Sequence, residues 1–141
     1  MTLPITATIA VLLGLLIFPL TVYVSLQRAR VGNEAGELTA AAFGAHPDIK
    51  LTATIRAHGN LMEYAAFGLV MIGMAEAHGA QAVWLMPVGL AFVAGRWLHV
   101  FAMLTNPYPP ALRGVAMITT YAVIVCPCFF LGLQLLTDFL G

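Results

Sequence analysis

The sequence predicts an all-α fold: an integral membrane four-helix bundle, up-down-up-down, forming one domain over residues 1–141. Three observations lead there. The chain is 61% hydrophobic and only 9% charged, whereas soluble domains are ~25% charged. Its mean hydropathy is +0.93. Its apolar residues also fall into four runs, each near the ~20 residues that cross a bilayer core, and polar or Pro- and Gly-containing segments separate them.

The first run, 3–26, is apolar apart from Thr, Ser, Tyr23 and two prolines. Pro4 suits a helix start. Pro19 predicts a kink, which neighbouring helices accommodate by satisfying the freed carbonyl. No basic residue precedes the run and it is long for a leader, so it reads as a membrane helix and not as a signal peptide. Residues 27–51 read as the one long loop. They hold Arg28, Arg30, Glu34, Glu37, His46, Asp48 and Lys50, with Gly32, Gly36, Gly44 and Pro47 as breakers. A short helical piece is allowed around Ala40–Ala42.

The second helix is predicted over 52–77, with polar residues in its first turns and an apolar second half. His78, Gly79 and Gln81 make a short turn. The third helix is predicted over 82–104. The stretch T-N-P-Y-P-P-A-L-R, Thr105 to Arg113, reads as a stiff proline-rich connection, and the fourth helix as 114–136 with Pro127 at a kink. Lys and Arg flank the first and third connections but neither the second connection nor the tails. The positive-inside rule therefore places both termini on the non-cytoplasmic side of a multi-pass protein. Arg28, Arg30 and Lys50 read as anchors for lipid phosphates, and Trp84, Trp97, Tyr108 and Tyr121 as interface anchors or packing residues.

Several functions are excluded at this level. The net charge is zero, and there is no basic tract, so nucleic acid is not a partner. No phosphate-cradling glycine loop or zinc-type Cys/His spacing is present. Cys126 and Cys128, two residues apart on a helix, point to different sides. They read as small core residues and not as a metal or redox pair.

The polar residues that remain point to a ligand site. Arg56, Asn60 and Glu63 are spaced i, i+4, i+7 and share one helix face. Arg96 and His99 share a face of the third helix, and Arg113 opens the fourth. All of these lie toward the same membrane side, although they are far apart in sequence. Charge in a membrane helix faces the protein interior or a water-filled cavity, because exposure to hydrocarbon is costly. The expectation is a cationic pocket with one carboxylate, holding a small polar ligand. Ionised Glu63 needs a cation, from Arg56, Arg96 or a ligand ammonium. His99 is expected to hydrogen-bond Asn60 or Glu63. His58 lies off this face, which argues against a haem held by His58 and His99.

R-A-H-G-N-L-M-E-Y (Arg56 to Tyr64), followed by G-R-W-L-H (Gly95 to His99), resembles the MAPEG family, the membrane-associated proteins of eicosanoid and glutathione metabolism. Arg56, His58, Asn60 and Glu63 match the family's helix-two pattern R-x-H-x-N-x-x-E. Gly95, Arg96 and His99 match its G-R-x-x-H, and Arg113 matches an arginine that opens helix four. The resemblance implies a homotrimer with glutathione as co-substrate, bound in a cleft between subunits near the cytoplasmic face. It implies a membrane-bound glutathione transferase, with glutathione peroxidase as a related activity, acting on apolar electrophiles. The alternative is a non-catalytic lipid-binding or scaffolding protein on the same fold. On the first reading Arg113 stabilises the thiolate. Arg56, Asn60, Glu63 and Arg96 position glutathione, and His99 orients Arg96 or Glu63. Gly59, Met103, Gly114 and Met117 stand where some relatives carry polar residues, so the clamp here is thinner.

Overall fold

The computed structural model describes residues 2–36, 38–43, 47–105 and 109–141, and the statements below concern these. Glu37, Gly44, His46 and Tyr108, singled out above, lie outside them. Among the described residues all regular structure is α-helical: α1 (Pro4–Ala35), α2 (Leu38–Phe43), α3 (Ile49–Ala77), α4 (Ala82–Leu104) and α5 (Pro110–Leu140). Helices α1, α4 and α5 are long and apolar enough to cross a membrane.

α3 does not meet that measure, although the sequence predicts a membrane helix there. Arg56, His58, Asn60 and Glu63 in its first half and Glu76 near its end shorten its apolar stretch. It nevertheless packs against α1, α4 and α5. α1 also packs on α4, and α4 on α5.

The predicted 27–51 loop is largely helical. α1 continues nine residues beyond its expected end, to Ala35, because polar side chains there bond along the helix. Arg30 Nε donates to Gln27 Oε1 at 3.1 Å, and Arg30 pairs with Glu34 at i+4, 3.5 Å away. Gly36 then stops the helix in the left-handed conformation, at φ 68°, where glycine carries no steric penalty. α2 covers the expected Ala40–Ala42 piece. α3 begins at Ile49 because Asp48 caps it, its carboxylate accepting from Leu51 N at 2.6 Å. Arg30 also reaches Asp48 at 3.6 Å, tying the end of α1 to the head of α3. At the other connection Pro110 takes the first helical position of α5, four residues before the expected start.

α1 buries Ile5, Ile9, Leu13, Leu16, Leu20 and Val24 on one stripe, and exposes Val11, Leu15, Phe18, Val22 and Leu26 on the other side. A helix apolar all round suits lipid on its outer face. α5 repeats this, burying Ala116, Thr120, Val123, Pro127 and Leu131 while exposing Ile118, Val125, Phe129 and Leu133. Cys126 and Cys128 fall on that outer side and are exposed, not core residues as expected. The core brings together Ile9 and Leu13 of α1, Leu61 and Ile72 of α3, Leu85 and Phe92 of α4 and Val123 of α5. Small residues let the backbones close in. A Cβ on Gly68 would sit 2.7 Å from the Phe92 ring, and one on Gly89 2.8 Å from Ile9.

Glu76 fastens the start of α1 to the end of α3. Its carboxylate accepts from Ile5 N at 2.8 Å, Thr6 N at 2.7 Å and the Thr6 hydroxyl at 2.6 Å. It therefore satisfies orphan donors in the first turn of α1, whose own preceding residue, Leu3, has no capping side chain. Glu76→Ala is expected to cost ~1–2 kcal/mol, the upper range for losing a helix cap, with Glu76→Gln losing less. Thermal unfolding in detergent checks this, and an unchanged midpoint for the alanine variant would refute it.

Candidate functional site

The site is organised by Arg96, which is 0% exposed. Gly95 is the reason it can be placed there. A Cβ at that position would collide with the Thr119 side chain and lie 3.1 Å from the Ala116 carbonyl, so only glycine lets α4 approach α5 this closely. The next residue then points its guanidinium into the junction of α3, α4 and α5. Arg96 Nη1 donates to Asn60 Oδ1 at 3.0 Å, and Nη2 donates to the Ala116 carbonyl at 3.2 Å and to the Thr120 hydroxyl. Its Cζ lies 5.4 Å from the Tyr64 ring centroid and 5.7 Å from that of Phe92, within cation–π range. No carboxylate pairs with it among the described residues. Neutral oxygens, ring faces and the Met117 sulfur, 3.8 Å from Nη2, replace most of its hydration, while Nε has no hydrogen-bond partner among the described residues.

Beside this junction lies a cavity of about 310 Å³, lined by Arg56, Gly59, Asn60 and Glu63 of α3, His99 and Met103 of α4 and Arg113 of α5. Five of the six predicted site residues therefore share one wall system: Arg56, Asn60, Glu63, His99 and Arg113. Arg96 does not line it. It stands behind Asn60 and acts on the cavity through that side chain. Because Asn60 gives its oxygen to Arg96, its amide N–H donors are left for the cavity. The walls thus present two guanidiniums and an amide donor against one carboxylate.

Two expected contacts are not made. Glu63 is exposed and forms no ion pair with Arg56 or Arg96, because Arg96 is committed to the helix junction. His99 is only 2% exposed, yet neither ring nitrogen has a hydrogen-bond partner, so its predicted bond to Asn60 or Glu63 is absent. His58 turns toward α1, its Nε2 lying 2.9 Å from the Thr21 hydroxyl. It is not part of the cavity wall, and it does not converge with His99.

Tyr64, Phe92 and Thr120 are the neighbours of Arg96 that sequence reasoning missed. Tyr64 closes the quoted helix-two segment, and Phe92 lies one turn before Arg96. Those spacings were available signals. Nothing in the sequence pointed to Thr120, on a different helix.

Two further cavities adjoin this one and share Met103 with it. One, about 300 Å³, also has Arg56 and Arg113 in its wall. The other, about 510 Å³, is walled mainly by Ile49, Ala53, Met103 and Leu104, with Tyr23, Lys50 and Thr105. A larger, more apolar cavity thus lies beside the polar one at the same end of the helices.

Membrane-length apolar helices enclosing a cationic, donor-rich cavity at one end define an integral membrane protein of helical type. The chain belongs to the MAPEG family, whose sequence profile matches residues 6–133. No curated protein and no solved structure matches it.

Thr120→Val keeps the volume but removes the hydroxyl that accepts from buried Arg96, itself also donating to the Ala116 carbonyl at 3.2 Å. The expected cost is ~1–3 kcal/mol, that of leaving a buried donor unsatisfied. Chemical denaturation in detergent micelles measures it, and Thr120→Ser should restore most of the loss. Equal stability of the valine variant and the parent would refute this account of Arg96.

Proposed function

We propose that this protein is a membrane-bound glutathione transferase that conjugates the glutathione thiolate to apolar electrophiles, with glutathione peroxidase chemistry open to the same thiolate. The observation that carries the reading is the charge pattern of the polar cavity. Glutathione bears two carboxylates, one ammonium and one thiol. Arg56 and Arg113 offer charge-assisted, bidentate contacts to carboxylates. Asn60 offers amide donors, and Glu63, in no ion pair among the described residues, offers an acceptor for the ammonium. Arg113 is assigned to the thiolate, since a cation beside sulfur favours its ionised form. Arg56, Asn60 and Glu63 position the peptide, and Arg96 acts by fixing Asn60. Family membership is consistent with this activity.

The active assembly is a homotrimer in this reading. Arg56, Glu63 and Arg113 are exposed on the isolated chain, and Phe67, Val70 and Met74 continue an exposed apolar strip along α3. A neighbouring subunit covering that strip would close the cavity. The four long helices then form an up-down-up-down bundle, with the site toward the cytoplasm and both termini on the other side, following the distribution of Lys and Arg.

The second reading, a non-catalytic lipid-binding protein, is favoured by Met103. It stands in the walls of the three neighbouring cavities at this end and sets an apolar side chain beside the polar one.

Calorimetric titration of the detergent-solubilised protein with glutathione is expected to show saturable binding. Conjugation of a chlorodinitrobenzene-type electrophile is expected to fall ~100-fold or more in Arg113→Ala, the scale for removing one electrostatic stabiliser of developing charge. Absence of binding at millimolar glutathione would refute the transferase. Binding without conjugation would support the second reading.

A further inference from the structure

The cavity of about 510 Å³ is a different space from the polar one, with which it shares only Met103. Helices α1, α3 and α4 wall it. Ile49 and Ala53 of α3 and Met103 and Leu104 of α4 make it mainly apolar. Ile49 is 86% exposed and Leu104 40%, so no described part of the chain covers them. Such a space suits an amphiphile, since ligand sites of ~300–1,000 Å³ are mostly apolar with a few placed polar groups.

The polar groups in this wall favour an anion. Lys50 supplies an ammonium and Tyr23 a phenol hydroxyl. Neither side chain has a hydrogen bond or ion pair among the described residues. The Thr105 hydroxyl donates to the Phe101 carbonyl at 2.8 Å, so its proton is already used. Of the three cations expected to anchor lipid phosphates, Arg30 is engaged by Gln27, Glu34 and Asp48. Arg28 stands in none of the cavity walls described above, and only Lys50 does. The carboxylate nearest to Lys50 in sequence, Asp48, accepts from Leu51 N at 2.6 Å and pairs with Arg30 at 3.6 Å. Lys50 also lies in the first turn of α3, which holds no acidic side chain. A cation there is opposed by the helix dipole, so an anion beside it relieves both charges.

We propose that this cavity binds an anionic phospholipid of the surrounding bilayer, its phosphate on Lys50 and Tyr23 and one acyl chain along Ile49, Ala53, Met103 and Leu104. Position supports a bilayer lipid. α4 is a membrane-length helix that ends at Leu104, so the cavity lies where the apolar span ends. Lipid phosphates, tyrosines and basic side chains meet at that level. A free phosphate would satisfy Lys50 and leave the apolar wall bare. A zwitterionic lipid would bring its own cation beside Lys50. The site holds for either reading of the polar cavity, because it uses none of that cavity's charged residues.

The test uses the full chain, purified in detergent, stripped of lipid and mixed with phosphatidylglycerol, phosphatidylcholine, oleate or glycerol 3-phosphate. Native mass spectrometry counts bound lipid. Thermal unfolding reads stabilisation, since a ligand that binds only the folded protein raises the midpoint. Phosphatidylglycerol is expected to be retained and to raise the midpoint more than phosphatidylcholine. Lys50→Gln is expected to weaken its binding about fivefold, the scale of one basic residue near an anionic lipid. Ala53→Leu, which fills the cavity without altering charge, is expected to weaken it as well. Equal binding of the two phospholipids, or phosphatidylglycerol binding unchanged in either variant, would overturn the proposal. Oleate that matches phosphatidylglycerol would overturn the phospholipid assignment, and glycerol 3-phosphate that matches it would reduce the site to a simple anion contact and overturn it too. If Ala53→Leu does not fold, phosphatidylglycerol with a diazirine in its acyl chain is crosslinked to wild type and the labelled peptides are mapped. Labels near Ala53 and Leu104 would support the site, and labels spread over the outer face of α5 would overturn it.

Discussion

One constraint orders the cavity end of this molecule: a guanidinium wholly removed from water, with no described carboxylate beside it. Burying a charge is tolerable only where hydrogen bonds and polarisable neighbours replace its hydration. Arg96 finds them on three elements at once, in Asn60 and Tyr64 on α3, Phe92 on its own helix and Ala116 and Thr120 on α5. The three helices must therefore meet at fixed depth and rotation. Sliding any one of them would strand a charge in a low-dielectric interior. Gly95 permits the meeting, because a side chain there would force α5 away.

The same constraint shapes the cavity. Arg96 satisfies itself by taking the oxygen of Asn60, which turns that amide's donors outward. The remaining walls gain Arg56 and Arg113 and keep Glu63 as their single anion. The surface thus carries more positive than negative charge, although the most deeply buried cation nearby does not line it. The other end of the helices is held differently. There Glu76 joins α3 to α1 through backbone donors that a helix start always leaves unsatisfied. One end is tied by a carboxylate serving as a cap, and the other by a buried cation with a polar cavity beside it.

Much of this is legible in the amino-acid sequence. Four apolar runs gave four long helices, since period and length report burial directly. The i, i+4, i+7 spacing of Arg56, Asn60 and Glu63 put them on one face, as helix geometry requires. Other features were not legible. The polar 27–51 segment looked like a loop because its residues suit water. Arg30, with Gln27 behind it and Glu34 ahead, instead supports the helix from its own surface. The cysteines looked like packing residues, and they face outward because the α5 stripe that meets the protein is set by Thr120, Val123 and Pro127.

The sequence by itself determined the helical class, the membrane setting and the set of polar residues available for a site. These follow from local spacing and from the cost of charge in hydrocarbon, which act on a helix regardless of its neighbours. Tertiary structure alone decided how those residues divide. Arg96 withdrew behind Asn60, His58 turned to Thr21, and His99 was left in the wall without a partner. Such outcomes depend on distances between helices, which are fixed by close approach at glycine and by packing across the core, and periodicity along one chain carries no record of them.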